Sequence, residues 1–233
     1  MIGGMGAGSR GGGGRGSVTP TAAGTVVVLV GEWITEGRLA PGDKVSETWV
    51  AAESGVSRNT VREAFRLLEH DGLLVHEPNR GAFVPQVTPL DVRDIYRVRR
   101  VLEPAVVRGL TELDVPRMQA LTAAVDAARS AAARQDWPHA GSANMRFHRS
   151  LVALAGSVRL DATMRRLMAE LRLVFAVVEH PAELFGPFVE RNARIADLLL
   201  SGRFLEAATA LETYLADSED AILTAFSRQE LTA

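Results

Sequence analysis

The sequence predicts a mainly α chain in two parts: a small N-terminal unit of short helices with one β-hairpin, then an all-helical bundle of about six helices. Three observations carry this. Between Thr21 and His70, apolar residues recur at spacings of three and four in short blocks separated by glycine. Two extended runs, Leu73–His76 and Gly81–Pro85, flank the turn residues Glu77-Pro78-Asn79-Arg80. Beyond Pro85 and Pro89 the helical period takes over with no strand signal.

Residues 1–20 are dominated by glycine with Arg10 and Arg15, a composition that cannot bury a core and predicts a disordered tail. The tail is either an inert extension or a basic arm that touches DNA phosphates. From Thr21, the residues Val26, Leu29, Val30, Trp33 and Ile34 form one apolar stripe ending near Glu36-Gly37. Pro41-Gly42 then turns the chain. Ser46 is placed to cap a short helix through Thr48, Val50 and Ala51, and Gly55 breaks it. Ser57 caps the next helix, Arg58 to His70, which Asp71-Gly72 closes before the hairpin. The first unit therefore spans 21–86, a linker 87–90, and the helical domain 91–229. Helices of roughly 15–25 residues are expected there. Their breaks fall at Asp114-Val115-Pro116, Trp137-Pro138, Gly156-Ser157, His180-Pro181, Gly186-Pro187 and Ser201-Gly202.

Composition narrows the classes. An apolar share of 47% over 233 residues supports two modest cores. With no cysteine, disulfides and thiolate metal sites are excluded, and the reducing cytoplasm is the expected compartment. No apolar run reaches the roughly 18 residues that span a bilayer, so no membrane partner is expected. The net charge of −2, with eight basic against nine acidic side chains in the first 86 residues, does not advertise a nucleic-acid binder. Any DNA-binding charge must be local.

Residues 46–70 nevertheless read helix, glycine-containing turn, helix. In a helix-turn-helix the start of the second helix meets base edges. Here that turn is Ser57-Arg58-Asn59-Thr60-Val61-Arg62, with Arg58 and Arg62 four apart and so on one face. Arginine suits guanine and asparagine suits adenine, while Ser57 and the helix start suit a phosphate. Val61, Ala64, Phe65 and Leu68 make the opposite, buried stripe. Asn79-Arg80-Gly81 at the hairpin tip makes a basic wing, and the unit reads as a winged helix-turn-helix. Taken alone, Arg58, Arg62 and Arg66 are equally a solvated face.

Four motifs in order identify more. They are Gly37-Arg38-Leu39-Ala40-Pro41-Gly42-Asp43; Val56-Ser57-Arg58-Asn59-Thr60-Val61-Arg62-Glu63-Ala64; Leu67-Leu68-Glu69-His70-Asp71-Gly72-Leu73; and Pro78-Asn79-Arg80-Gly81-Ala82-Phe83-Val84. Through them residues 25–86 resemble the DNA-binding domain of the GntR family of bacterial regulators. The resemblance implies that Arg58, Asn59, Thr60 and Arg62 touch duplex DNA beside the Asn79-Arg80-Gly81 wing. Where many members carry a phosphate-binding arginine in the preceding helix, Thr48 stands here.

Residues 91–229, through Asp91 to Pro104, Phe147-His148-Arg149-Ser150-Leu151 and Ala155-Gly156-Ser157, resemble the helical FCD-type ligand-binding domain of the FadR subgroup. Many such domains hold a divalent metal on one aspartate and three histidines. The matching positions read Asn144, His148, Asn192 and Tyr214, so the metal set is degenerate and no cofactor is expected. These four remain as a candidate polar end of a small-molecule pocket, or as core polar groups that satisfy one another. Arg99 and Arg172 fall on apolar faces, and a buried arginine seeks an anion, so a carboxylate-bearing effector is the expectation.

The reading is a transcriptional regulator, most simply a repressor, that binds a pseudo-palindromic operator as a homodimer and responds to a small effector. The competing readings are an enzyme using the His148 pocket and a helical interaction module that does not bind DNA. No phosphate loop, HExxH motif or assembled nucleophile supports the enzyme.

Overall fold

The computed structural model describes residues 21–175 and 181–232. The Gly-rich segment 1–20, expected to be disordered, lies outside them. The N-terminal head comprises α1 (Ala22–Thr35), β1 (Lys44–Val45), α2 (Glu47–Ser54), α3 (Arg58–His70), β2 (Val75–Glu77) and β3 (Gly81–Phe83). Local chemistry fixes the boundaries. The hydroxyls of Thr21, Ser46 and Ser57 accept from the backbone N–H of Gly24, Trp49 and Thr60. Gly55, at φ 68°, ends α2 in the left-handed region that glycine alone adopts freely.

The sheet has order β1-β3-β2, antiparallel throughout, with Val45 opposite Ala82 and His76 opposite Ala82 on the other side. The expected hairpin is present, but it gains a third strand. β1 is too short to show alternation in sequence. It exists because the Pro41-Gly42 turn delivers Lys44-Val45 to the free edge of β3, where Gly42 N–H bonds Val84 O and Val84 N–H bonds Asp43 O, both at 2.9 Å.

The bundle comprises α4 (Pro89–Arg108), α5 (Val115–Ala133), α6 (Trp137–Ala153), α7 (Val158–Phe175), α8 (Pro181–Leu200) and α9 (Phe204–Thr232). α4 begins two residues before the expected start at 91. Pro89 occupies its first position, and Thr88 and Asp91 form a reciprocal capping box, so half of the expected 87–90 linker is helix. The break expected at Gly186-Pro187 does not occur, and α8 runs through it. Pro187 forfeits one intrahelical bond near the helix start, while Leu184, Phe185 and Phe188 are buried on both sides of it. α9, at 29 residues, outruns the expected length. No helix among the described residues is long and apolar enough to cross a membrane.

Two cores result. Val26, Val30, Trp33, Val61, Phe65, Leu68 and Val84 fill the head, and α4 to α9 bury the larger one. They are bridged by α7, whose Ala169 and Leu173 pack into the head core while Met164, Leu167, Met168 and Leu171 pack into the bundle.

Candidate functional sites: an exposed basic cleft and a buried polar cluster

The first site is set up by the α3 cap. Ser57 holds the helix start, and its hydroxyl also meets the Thr60 hydroxyl at 2.9 Å. Val61, Ala64, Phe65 and Leu68 turn inward, which leaves Arg58, Asn59 and Arg62 outward and exposed. Arg58 Nη2 donates to Thr48 Oγ1 at 2.6 Å, so the short Thr48 side chain on α2 gives Arg58 a surface to lie across. Arg62 Nε donates to both carboxylate oxygens of Glu47 (2.9 and 3.2 Å), and its side chain is 56% exposed. At the hairpin tip Asn79 takes φ 63°. Arg80 pairs with Glu77 and lies 5.0 Å from the Phe83 ring centroid.

Between α2, α3 and the hairpin lies an open cleft of ≈ 660 Å³ lined by Arg58, Arg62, Asn79, Arg80 and Gly81. Ser57, Asn59 and Thr60 stand at the α3 start beside it. The cleft is also lined by Arg66, which the sequence marks only as part of a solvated face, and by Lys44 and Glu47, which the sequence pattern did not single out. Lys44 arrives on β1, so finding it required that strand. Five cations (Lys44, Arg58, Arg62, Arg66, Arg80) face two carboxylates (Glu47, Glu69) in this lining. The head's balanced charge is thus locally positive.

The second site is buried where α4, α6, α8 and α9 meet. Arg99 and Glu103, one turn apart on α4, are 1% and 0% exposed, and Arg99 Nε donates to Glu103 Oε1 at 2.7 Å. Glu103 Oε2 meets His148 Nδ1 at 2.7 Å. His148 packs against Tyr214, ring centroids 5.0 Å apart. Tyr214 OH donates to Asn144 Oδ1 (2.9 Å), which also accepts from Asn192 Nδ2 (2.6 Å). Burial alone would push Glu103 up, but Arg99 and then His148 hold its carboxyl below the usual range. Burial pushes His148 down, outweighing the pull of Glu103, so the ring is neutral. Burial raises Tyr214.

Arg99, Asn144, His148, Asn192 and Tyr214 are therefore brought together as expected positions of one site, and Arg172 is not. It lies on the α7 face turned toward the head, against Gly37, where a Cβ would stand 2.7 Å from Arg172 Nη2. There the guanidinium lies beside the C-terminal end of α1, where burial pushes it below the usual arginine range and its Nε has no hydrogen-bond partner. Buried Arg99 finds the anion it requires in Glu103 from the same helix, so Arg99 does not by itself call for a ligand carboxylate. Glu103 was missed, although its i,i+4 spacing from Arg99 was a legible signal.

A divalent metal does not fit the residues present. Glu103 is committed to Arg99 and His148, and Asn144 Oδ1 already accepts two hydrogen bonds. Among the described residues, no group of three His, Cys, Asp or Glu could hold a metal ion.

Comparison with known proteins places both halves. Residues 22–84 match the family model described as bacterial regulatory proteins, gntR family, and residues 94–217 match the FCD domain. An uncharacterized HTH-type transcriptional regulator in the TAR-I ttuE-ttuC' intergenic region of Agrobacterium vitis is 35% identical over 119 residues, 49% of this chain and 70% of that one. The HTH-type transcriptional repressor RspR of Escherichia coli K12 is 40% identical over 70 residues, 30% of this chain and 31% of that one. The crystal structure of a GntR transcriptional regulator from Rhodococcus sp. RHA1 is 39% identical, with a TM-score of 0.75, covering 87% of this chain and 97% of that one.

Proposed function

The chain belongs to the GntR family of bacterial regulatory proteins, in the FadR subgroup with a C-terminal FCD domain, and from that premise we propose that it represses transcription as an operator-bound homodimer. The family consists of DNA-binding transcriptional regulators, not enzymes. The observation that carries the finer reading is the open cleft in which Arg58, Arg62 and Arg80 face one side. The start of α3 enters the major groove, Arg58, Asn59, Thr60 and Arg62 meet base edges, Ser57 and the helix start hold a phosphate, and the Asn79-Arg80-Gly81 wing reaches the flank. One α3 covers only a half-site, so a pseudo-palindromic operator calls for two copies. Repression is supported by the relative that is itself a repressor.

The buried cluster of Arg99, Asn144, His148, Asn192 and Tyr214 is the effector site in this reading, and the regulator works in the cytoplasm, where the DNA is. Its signal passes through α7, which packs into both cores. The effector must bind the two head arrangements unequally to move the operator equilibrium. A mobility-shift titration with the DNA upstream of its own gene tests the whole. Nanomolar binding whose affinity falls with salt and is lost in Arg62→Ala is expected. Binding indifferent to both would leave the cleft without its assigned role.

A further inference from the structure

Within the buried cluster, three polar atoms have no hydrogen-bond partner: Arg99 Nη2, His148 Nε2 and Asn192 Oδ1. The residues carrying them are at least 99% buried. Buried polar atoms left unmatched are rare in native proteins and costly, so three of them on residues of one bonded network mark a place where something else completes the bonding.

The polarity of each atom is fixed by what its neighbours already do. An ionised carboxylate only accepts, so the proton between Glu103 Oε2 and His148 Nδ1 resides on Nδ1. In the neutral ring Nε2 is then a bare lone pair. Arg99 Nη2 can only donate. Asn192 gives its N–H to Asn144, which leaves its carbonyl oxygen as the free acceptor. The site thus offers one donor and two acceptors. Its charge is already closed, because Arg99 and Glu103 cancel and His148 is neutral; Tyr96, stacked 4.6 Å from the Arg99 guanidinium, and Tyr214 are also neutral.

With this cluster read as the effector site, on which the inference rests, we propose that it binds an uncharged, hydroxyl-bearing small molecule, a polyol or sugar. Its hydroxyls accept from Arg99 Nη2 and donate to His148 Nε2 and Asn192 Oδ1, without a metal. A hydroxyl serves either polarity. A carboxylate serves only Arg99. It offers nothing to the two lone pairs, and it brings a net negative charge into a fully buried site unless His148 takes up a proton. A divalent cation would find one imidazole nitrogen and one amide oxygen, too few ligands for a tight site.

The full chain, dialysed against chelator, is titrated calorimetrically at pH 7.5 with matched pairs, xylitol against xylonate and glucitol against gluconate. Each titration is run in phosphate and in Tris, whose protonation enthalpies differ. The uncharged member is expected to bind at least as tightly as its acid, with the same enthalpy in both buffers. His148→Leu and Asn192→Leu should each weaken it by about tenfold or more while DNA binding persists, and either variant suffices should the other not fold. Nitrogen NMR should find His148 Nε2 unprotonated in the free protein; a protonated Nε2 overturns the polarity assignment. Binding of the acids alone, with about one proton taken up per site, keeps the effector site and overturns the ligand class. Tight binding of Zn²⁺ alone does the same. If neither member of any pair binds at millimolar concentration, and a crystal structure shows one water bridging the three atoms, the effector-site reading falls along with the ligand class.

Discussion

Two arginine–glutamate pairs sit in the two halves of the molecule and behave as opposites. Arg62 and Glu47 meet at 2.9 Å on the head with side chains 56% and 32% exposed. Arg99 and Glu103 meet at 2.7 Å inside the bundle with almost no exposure. The chemistry is the same, but solvent decides what each pair does. An exposed pair is worth at most about 1 kcal/mol, so Arg62 can leave Glu47 for a base or phosphate at little cost. A buried pair has already lost its hydration, and neither partner can be withdrawn without leaving a naked charge. The head keeps its arginine exchangeable, and the bundle keeps its arginine fixed.

The largest effect should come from breaking the fixed pair. Glu103→Leu strands Arg99 and should cost about 3–5 kcal/mol, lowering the thermal midpoint by roughly 10 °C in calorimetry. Adding Arg99→Met should restore much of that loss, and a double variant no better than the single one would mean that the pair is not the cause. Next, Arg62→Ala should lower operator affinity by roughly ten- to a hundredfold in a mobility-shift titration, with the thermal midpoint shifted by less than about 2 °C.

A third test lies between the two halves. Burial, with Arg166 opposing and Asp91, Asp71 and Asp94 reinforcing, raises Glu170 on α7 to about 7. The folded state therefore holds this proton more tightly than the unfolded one. Stability from Glu170 is full below its unfolded value and is lost as pH rises through 7. Glu170→Gln should be the more stable protein at pH 8 by about 1–2 kcal/mol after allowance for partial exposure, with the gap closing toward pH 5. Chemical denaturation at several pH values checks this. The smallest effect belongs to the exposed pair. Glu47→Gln should change stability by less than about 0.5 kcal/mol, yet raise DNA affinity a few-fold by removing a carboxylate from the cleft.

What could be read in advance was whatever the chain writes locally. Ser46 and Ser57 declare their helices because a cap needs only its own next three residues. The inward stripe of α3 is equally local. β1 was illegible because a two-residue strand is defined by its partner, and Lys44 stayed hidden with it. At Gly186-Pro187 a turn signal was overridden by the burial of Phe185 and Phe188. Periodicity marked Arg172 as buried, but it does not say against which neighbour. α7 is apolar toward both halves, and Arg172 faces the head. The cluster's members were legible as residue types, whereas the hydrogen bonds that set their polarity depend on four helices meeting.

The placement of Ala169 and Leu173 among head residues has a practical corollary. A fragment ending at residue 86 would carry a raw apolar socket where those two side chains now plug in, so it should express poorly or clump. By the same token, heating the intact chain should melt both halves in one calorimetric peak, since neither can come apart without tearing open the other.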